Sequence, residues 1–367
     1  MKLKILIAAL LHASVATSVH AQSLNAAQLR EKVDSVIKTE LLDKGTTSAS
    51  IVITQNGKTL LARTYGVADV AVNRNADSLT AYQIGSMTKH ITASLLLKKV
   101  EKGQLALSDT LGQYLKGLKP EWTGRTIATV LNHTSGLPRE YRTIDDVGTY
   151  RSTDSIIALA ARSTGATVAP GTKFIYSNTG YMLLAALVEK LYGKSYSEVL
   201  RDEIARPLGL KTIGYCADME PKGLVARGYL KPPKDTLRPA PYMHPSMLLA
   251  GGVCSNPIDI AKWNIALYNG KILSPASFTA MSTPQGVAAT AAVPYGFGMY
   301  VRPALTGEKV FLTDGNTVGF SNENVWYPDA KLGITLMTNT SGPLNSDTNL
   351  TEKIGAIVLG RSIPAKQ

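Results

Sequence analysis

Ser86-Met87-Thr88-Lys89 places a hydroxyl and an amine three residues apart. On a helix that spacing puts both on one face within reach of each other, so the amine can take the hydroxyl proton and free the oxygen to attack an acyl carbon. Met87, Ile91 and Leu95 recur at four-residue intervals and Gly103 stands as a stop, which predicts a helix from Ser86 to Lys102. Its N-terminal dipole adds positive potential where an oxyanion would form. Spacing alone does not single the pair out, because Ser35-Val36-Ile37-Lys38 repeats it inside an amphipathic segment whose Ser35 and Lys38 read as solvated. Context separates the two. Tyr176-Ser177-Asn178, between Pro170-Gly171-Thr172 and Thr179-Gly180-Tyr181, supplies a phenol and a carboxamide from a tight loop leading into a helix. A free lysine at about 10.4 and a free tyrosine at about 10 are poor bases at neutral pH, so burial and charge pressure must lower at least one of them.

The elements that would hold these groups follow from periodicity. Ala26, Leu29, Val33, Val36, Ile37 and Leu41 predict an amphipathic helix. Ala49 to Thr54 and Thr59 to Tyr65 are β-rich and flank Asn56-Gly57, a strong hairpin signal because both residues tolerate positive φ. Gly180 to Leu191 carries an apolar helical run, and Asn256, Pro257 and Asp259 announce a helix ending near Gly270. Pro232, Pro233, Pro239, Pro241 and Pro245 crowd a segment expected to be irregular. Lys309 to Thr313, Asn324 to Tyr327 and Leu332 to Thr338 read as strands, with Pro328-Asp329 turning between the last two, and Thr348 to Leu359 as a closing helix. This order predicts an α/β chain of the α+β type: an antiparallel sheet built from both chain ends (residues 22–80 and 286–367), flanked by helices, with a mainly helical insert over 81–285.

Composition bounds the rest. With 44% hydrophobic and 18% charged residues over 367 positions, the chain can bury a large core. Lys2 and Lys4, the apolar run Ile5 to Leu11 and the small-x-small end Val19-His20-Ala21 predict a secretory signal peptide over residues 1–21, with the mature chain starting near Gln22. No stretch approaches the roughly 20 apolar residues of a membrane-spanning helix, so a secreted or periplasmic protein without a membrane span is expected. The net charge of +12 is scattered rather than clustered, which argues against nucleic acid and for a basic surface that tolerates anionic envelope polymers. His90, His133 and His244 are too dispersed to read as a metal site. Cys216 and Cys254 are the only cysteines, and in an oxidising compartment they are expected to pair.

Together these motifs resemble those of the class C β-lactamases, the serine D,D-peptidases and the related esterases. The resemblance covers essentially the whole mature chain, including Thr129 to Pro138, Ala169 to Tyr181, Pro207-Leu208-Gly209-Leu210, Ala250-Gly251-Gly252 and Gly315 to Phe320. It implies a penicillin-recognising fold with Ser86 as nucleophile, Lys89 as proton acceptor, Tyr176 as partner base and leaving-group acid, and Asn178 as a hydrogen-bonding group for Lys89 or the substrate. His133 becomes a loop residue in this reading. Relatives carry a third motif, a Lys or His, any residue, then Gly, on a strand edging the site. Anchored on Gly319-Phe320, it falls on Thr313-Asp314-Gly315, with Thr313 where a basic residue is usual. The backbone N–H of Asn316 would then join that of Ser86 as an oxyanion hole. Lys331-Leu332-Gly333 fits the same letters but follows the Pro328-Asp329 turn, which places it at the other end of the sheet. The expectation is an exported acyl-enzyme hydrolase needing no cofactor or metal, acting on a small-molecule or peptide substrate from the cell envelope or secondary metabolism. An ester or D-amino-acid peptide ranks ahead of a β-lactam, because Thr313 removes the charge that pairs with a carboxylate. True class C β-lactamase or D,D-carboxypeptidase activity, and a non-catalytic binder of peptidoglycan fragments, are the alternatives; oligomeric state is not specified.

Overall fold

Alternation and turn chemistry turn the chain ends into one sheet. In the computed structural model, which describes residues 24–139, 153–162, 165, 167–230, 237–240, 252–344 and 349–364, twelve strands are formed among the described residues. The candidate leader, most of the proline-rich segment, His244 and Ala250-Gly251 lie outside them. The N-terminal end supplies β1 (Ser48–Gln55), β2 (Lys58–Asp69) and β3 (Arg74–Asn75). The middle holds only short pieces: β4 (Tyr82–Gln83), β5 (Gly214–Tyr215), β6 (Tyr229–Leu230), β7 (Arg238–Pro239) and β8 (Val253–Ser255). The C-terminal end supplies β9 (Tyr300–Pro303), β10 (Lys309–Thr317), β11 (Phe320–Tyr327) and β12 (Leu332–Thr338). One antiparallel sheet runs β3-β2-β1-β12-β11-β10-β9, so the two ends meet where β1 pairs β12, Ile51 opposite Leu336. Asn56 and Gly57 sit at φ 50° and 76°, the left-handed values that a two-residue hairpin joining β1 to β2 requires.

Each sheet face packs a different core. On one face Leu29, Val33 and Ile37 of α1 (Ala26–Glu40) meet Ile51, Ile53, Val325, Ile334 and Leu336, together with Ile354 of the closing helix. Asn25 caps α1 by accepting from the N–H groups of Ala27 and Gln28. On the other face Phe311, Trp326 and Met337 join a larger cluster with the central helices. Three of these helices matter for the site: α2 (Thr88–Glu101), α3 (Asn178–Tyr192) and α4 (Pro257–Tyr268). α5 (Leu350–Leu359) closes the chain against the first face.

The structure departs from the sequence expectation at several points. Ser86 stands on a 3-10 turn, Gly85–Met87, that feeds α2 rather than inside the α-helix. β9 was not foreseen, β10 extends four residues past Thr313, and Arg238–Pro239 pairs with Tyr229–Leu230 although the segment reads as irregular. Proline is tolerated there because the strand has a single partner.

Candidate active site

The turn that carries Ser86 is held by close backbone contact with β10. Gly85 has φ 55°, and a Cβ on it would lie 3.1 Å from the Gly315 carbonyl carbon and 3.2 Å from Asn316 N. A Cβ on Gly315 would stand 1.8 Å from Ile84 O and 3.3 Å from Ser86 N. Only glycine fits at Gly315, and the contact presses the backbone of Ile84 to Ser86 against that of Gly315 and Asn316. Asn322, buried on β11, stitches the two segments by donating from Nδ2 to Gln83 O at 2.9 Å and to Gly315 O at 3.0 Å. Thr317 Oγ1 donates to Gln83 Oε1 at 2.9 Å. On the far side, Gln83 pairs with Cys254 of β8, and Cys254 is joined to Cys216 by a disulfide with Cα atoms 4.8 Å apart.

Lys89, one residue into α2, is 1% exposed and donates from Nζ to Ser86 Oγ at 2.9 Å. Its ammonium also faces the rings of Tyr176 and Tyr181, 4.9 and 5.6 Å from their centroids. The next residue is locked. His90 Nε2 accepts from Trp263 Nε1 of α4 at 2.7 Å, so its other nitrogen carries the proton and donates to Met87 O. Burial lowers its pKa to about 4 and keeps the ring neutral.

Tyr176 arrives on the loop before α3 and hydrogen-bonds Ser86. His133 braces that loop on both sides of the tyrosine: its carbonyl accepts from Ile175 N–H at 2.8 Å and its Nδ1 from Ser177 N–H at 3.0 Å. The imidazole lies against the phenol, ring centroids 4.2 Å apart, and the backbone takes φ 62°, unusual for a residue with a Cβ. Burial, Lys89 and Arg139 together push the His133 pKa well down, so it is a neutral support and not a base. Ser177 caps α3 by accepting from Gly180 N–H at 2.9 Å, and Asn178 opens the helix with its N–H on Arg139 O at 2.8 Å. Tyr176 itself titrates well above the ordinary tyrosine range: burial disfavours the phenolate, the Tyr300 and Asp314 charges add to that, and the bond with Ser86 opposes it. Of the two candidate bases, Tyr176 is therefore not the one that burial and charge lower.

β10 carries the Thr313-Asp314-Gly315 stretch on which the third motif is expected. Thr313 is 3% exposed, and its Oγ1 accepts from Asn324 Nδ2 at 3.0 Å. Asn324 in turn meets Asn264 of α4, so Thr313 belongs to a buried carboxamide network. Asp314 alternates to the other face of β10 from Thr313, where it lines a cavity with Leu312 and Asn316. β10 is regular through Asp314, yet the carboxylate acts on Tyr176, Tyr295, Tyr300 and Lys89. β9 covers β10 only from Lys309 to Leu312, which leaves that edge of β10 without a strand partner from Thr313 onward among the described residues. Arg302 and Lys309 do not replace the missing basic residue. Arg302 is ion-paired with Glu352 of α5, and Lys309 lies over the Phe311 ring at the exposed end of the strand. Lys331 follows the turn at the opposite end of β11 from Phe320, which excludes it from the Ser86 cluster. Sequence reasoning missed Arg139, whose guanidinium stands 5.6 Å from the Tyr176 ring centroid, and Gly298, where a Cβ would lie 2.7 Å from His90 N and 2.8 Å from Lys89 C. The decoy pair is confirmed as surface: Lys38 pairs with Asp43 on an exposed stretch. Among the described residues, no cluster of three His, Cys, Asp or Glu side chains could hold a metal, and no helix is long and apolar enough to cross a membrane.

Comparison with known proteins bears on the family and the fold. The chain is 29% identical over 256 residues to the penicillin-binding protein PbpX of Bacillus subtilis (strain 168), covering 70% of this chain and 62% of that protein. It therefore spans less than two thirds of that relative's length. Among solved structures, an octameric penicillin-binding protein homologue from Pyrococcus abyssi superposes with a TM-score of 0.79 at 25% identity, covering 92% of this chain and 78% of the other. D-amino acid amidase from Ochrobactrum anthropi SV3 has the same fold, with a TM-score of 0.79 at 23% identity over 91% of this chain and 100% of that one. A family model described as Beta-lactamase matches residues 28–359, from within α1 to the end of α5, and the chain belongs to the β-lactamase family.

Proposed function

We propose that this protein is an exported serine hydrolase that works through an acyl-enzyme on Ser86, cleaving an ester or D-amino-acid peptide in preference to a β-lactam. The observation that carries the reading is the convergence on one oxygen: Lys89 Nζ lies 2.9 Å from Ser86 Oγ, and the Tyr176 hydroxyl hydrogen-bonds the same residue. In acylation Lys89 acts as the free amine, having first given up its own proton, and takes the Ser86 proton as Oγ bonds to the substrate carbonyl. The oxyanion develops toward the N–H groups of Ser86 and Asn316. Tyr176, held as a phenol, gives its proton to the leaving group and regains one from Lys89; water then releases the acyl group through the same relay in reverse. Asn178, at the mouth of the Tyr176 loop, is the candidate hydrogen-bonding group for substrate. Membership of the family and the penicillin-binding and D-amino acid amidase relatives support an acyl substrate of this range. Thr313 supplies no cation, and Arg302 and Lys309 are engaged elsewhere, which weighs against substrates held by a carboxylate. The amino-terminal residues 1–21 support export.

A fluorescent fluorophosphonate tests the reading. The wild-type protein is expected to label and Ser86→Ala to stay dark at unchanged thermal stability. An adduct mapped to any other residue, or no adduct at all, overturns it; the latter outcome together with retention of peptidoglycan fragments would make the protein a binder.

A further inference from the structure

Asp314 has no part in the relay, yet it stands within electrostatic range of Lys89 and Tyr176. It directly precedes the glycine pressed onto the Ile84–Ser86 backbone, on the stretch of β10 that β9 leaves uncovered. It shares a cavity of about 470 Å³ with Val293, Tyr300, Leu312 and Asn316, the last being the second oxyanion donor. The other carboxylates on that cavity are already committed: Glu352 to Arg302 and to Leu305 N–H, Glu323 to the N–H and hydroxyl of Thr351. Asp314 is not. Among the described residues its hydrogen bonds are to its own N–H and a long 3.4 Å approach from Asn316 Nδ2. Burial raises its pKa, the response of a carboxylate short of compensating partners, and the Lys89 ammonium pulls the other way.

We propose that Asp314 is the specificity-determining carboxylate of this enzyme, selecting acyl compounds that carry an ammonium group a few bonds from the carbonyl attacked by Ser86. The proposal rests on the acyl-enzyme reading above. Asp314 and Asn316 are two residues apart on one strand, about 7 Å, so a group bonded to Asp314 lies within a short substrate's length of the oxyanion donor. The protein's net charge of +12 does not oppose this, because exposed charges are screened beyond about 8 Å at physiological salt while a contact pair is not. Arg139, over the Tyr176 ring, is the nearby cation that would impose the opposite preference.

Three fluorophosphonates of equal length, ending in trimethylammonium, its neutral isostere tert-butyl, or carboxylate, separate these cases by second-order labelling rate at Ser86, read by intact mass. Wild type is expected to label about tenfold or more faster with the ammonium probe than with tert-butyl, the factor a single charge-assisted contact supplies. In Asp314→Asn and in Asp314→Thr the ratio should fall to near one, whatever the absolute rates. A wild-type ratio near one, a ratio that survives both substitutions, or a carboxylate probe that labels fastest overturns the proposal. If no probe labels Ser86, the acyl-enzyme reading itself fails and the proposal falls with it.

Discussion

Gly315→Ala tests whether contact between β10 and the nucleophile turn sets catalytic geometry. The added methyl would stand 1.8 Å from Ile84 O, 2.8 Å from Ile84 C and 3.3 Å from Ser86 N, all backbone atoms that cannot rotate aside. Relaxing the first contact to about 3.3 Å, an ordinary carbon–oxygen approach, requires the strand and turn to part by roughly 1.5 Å. Overpacking of this kind costs about 1–3 kcal/mol of stability. The catalytic loss is larger in proportion, because a displacement of about 1 Å between reacting groups can cost about 10²-fold in rate. A fall of about 10² to 10³ in kcat/KM, or about 2.7 to 4 kcal/mol in transition-state stabilisation, is therefore expected with a neutral nitrophenyl ester. Gly333→Ala is the matched control. There a Cβ would meet the side chains of Thr54 and Trp326 at 2.9 Å, at the other end of the sheet, so stability should fall while kcat/KM stays within about threefold. Turnover by Gly315→Ala within threefold of wild type, or a Gly333→Ala protein that folds but is inactive, would refute the assignment of the third motif to Thr313-Asp314-Gly315.

Tyr176→Phe keeps the ring against His133 and loses the hydroxyl, so kcat should drop by about 10² to 10⁴ with little change in melting temperature; undiminished turnover would make Tyr176 a packing residue. Thr313→Lys should destabilise rather than improve the enzyme, because it removes the acceptor of Asn324 Nδ2, worth about 1–3 kcal/mol when orphaned, and buries an ammonium; a stable variant tenfold faster on carboxylate-bearing substrates would contradict this. His90 titrates at about 4 when folded and at about 6.5 when unfolded, so below 6.5 the unfolded chain binds a proton the folded one refuses. Stability should decline from pH 6.5 toward 4, by about 1.4 kcal/mol per unit, and denaturation of His90→Asn should show a shallower decline; equal slopes would dismiss the histidine's role.

What could be read from the sequence was local. The amphipathic period of α1, the Asn56-Gly57 hairpin and the Asn256-Pro257 start of α4 are each decided by a few neighbouring residues, and each formed as expected. The Ser86–Lys89 pair is local too. β9 escaped notice because it is four residues long, ends in proline and has no alternating burial. The stretch Asp314 to Thr317 lies past the Lys309 to Thr313 run that shows β-type composition, yet pairing with Phe320 to Glu323 of β11 holds it extended, a tertiary override of weak strand propensity. The brace formed by His133 depends on a left-handed backbone at a histidine, and no pattern of types or spacing announces that.

Ser35–Lys38 has the same spacing as Ser86–Lys89 and none of its chemistry, which shows where the activity of such a pair originates. Both pairs owe their one-face arrangement to helical geometry. Only the second has its backbone gripped between distant segments: Gly315 against Ile84 on one side, and Gly298, at φ 81°, against Lys89 and His90 on the other. Each grip requires the absence of a side chain, since the approaches of 1.8 and 2.7 Å leave no space for a methyl group. The tie from Trp263 to His90 and those from Asn322 to Gln83 and Gly315 then fix the rotation of the turn between the grips. Lys89 is thereby buried beneath two aromatic rings instead of reaching water, as Lys38 does. The position of Ser86 is thus a property of the C-terminal strands and α4, more than 170 residues downstream, and the helix supplies only its distance to the amine.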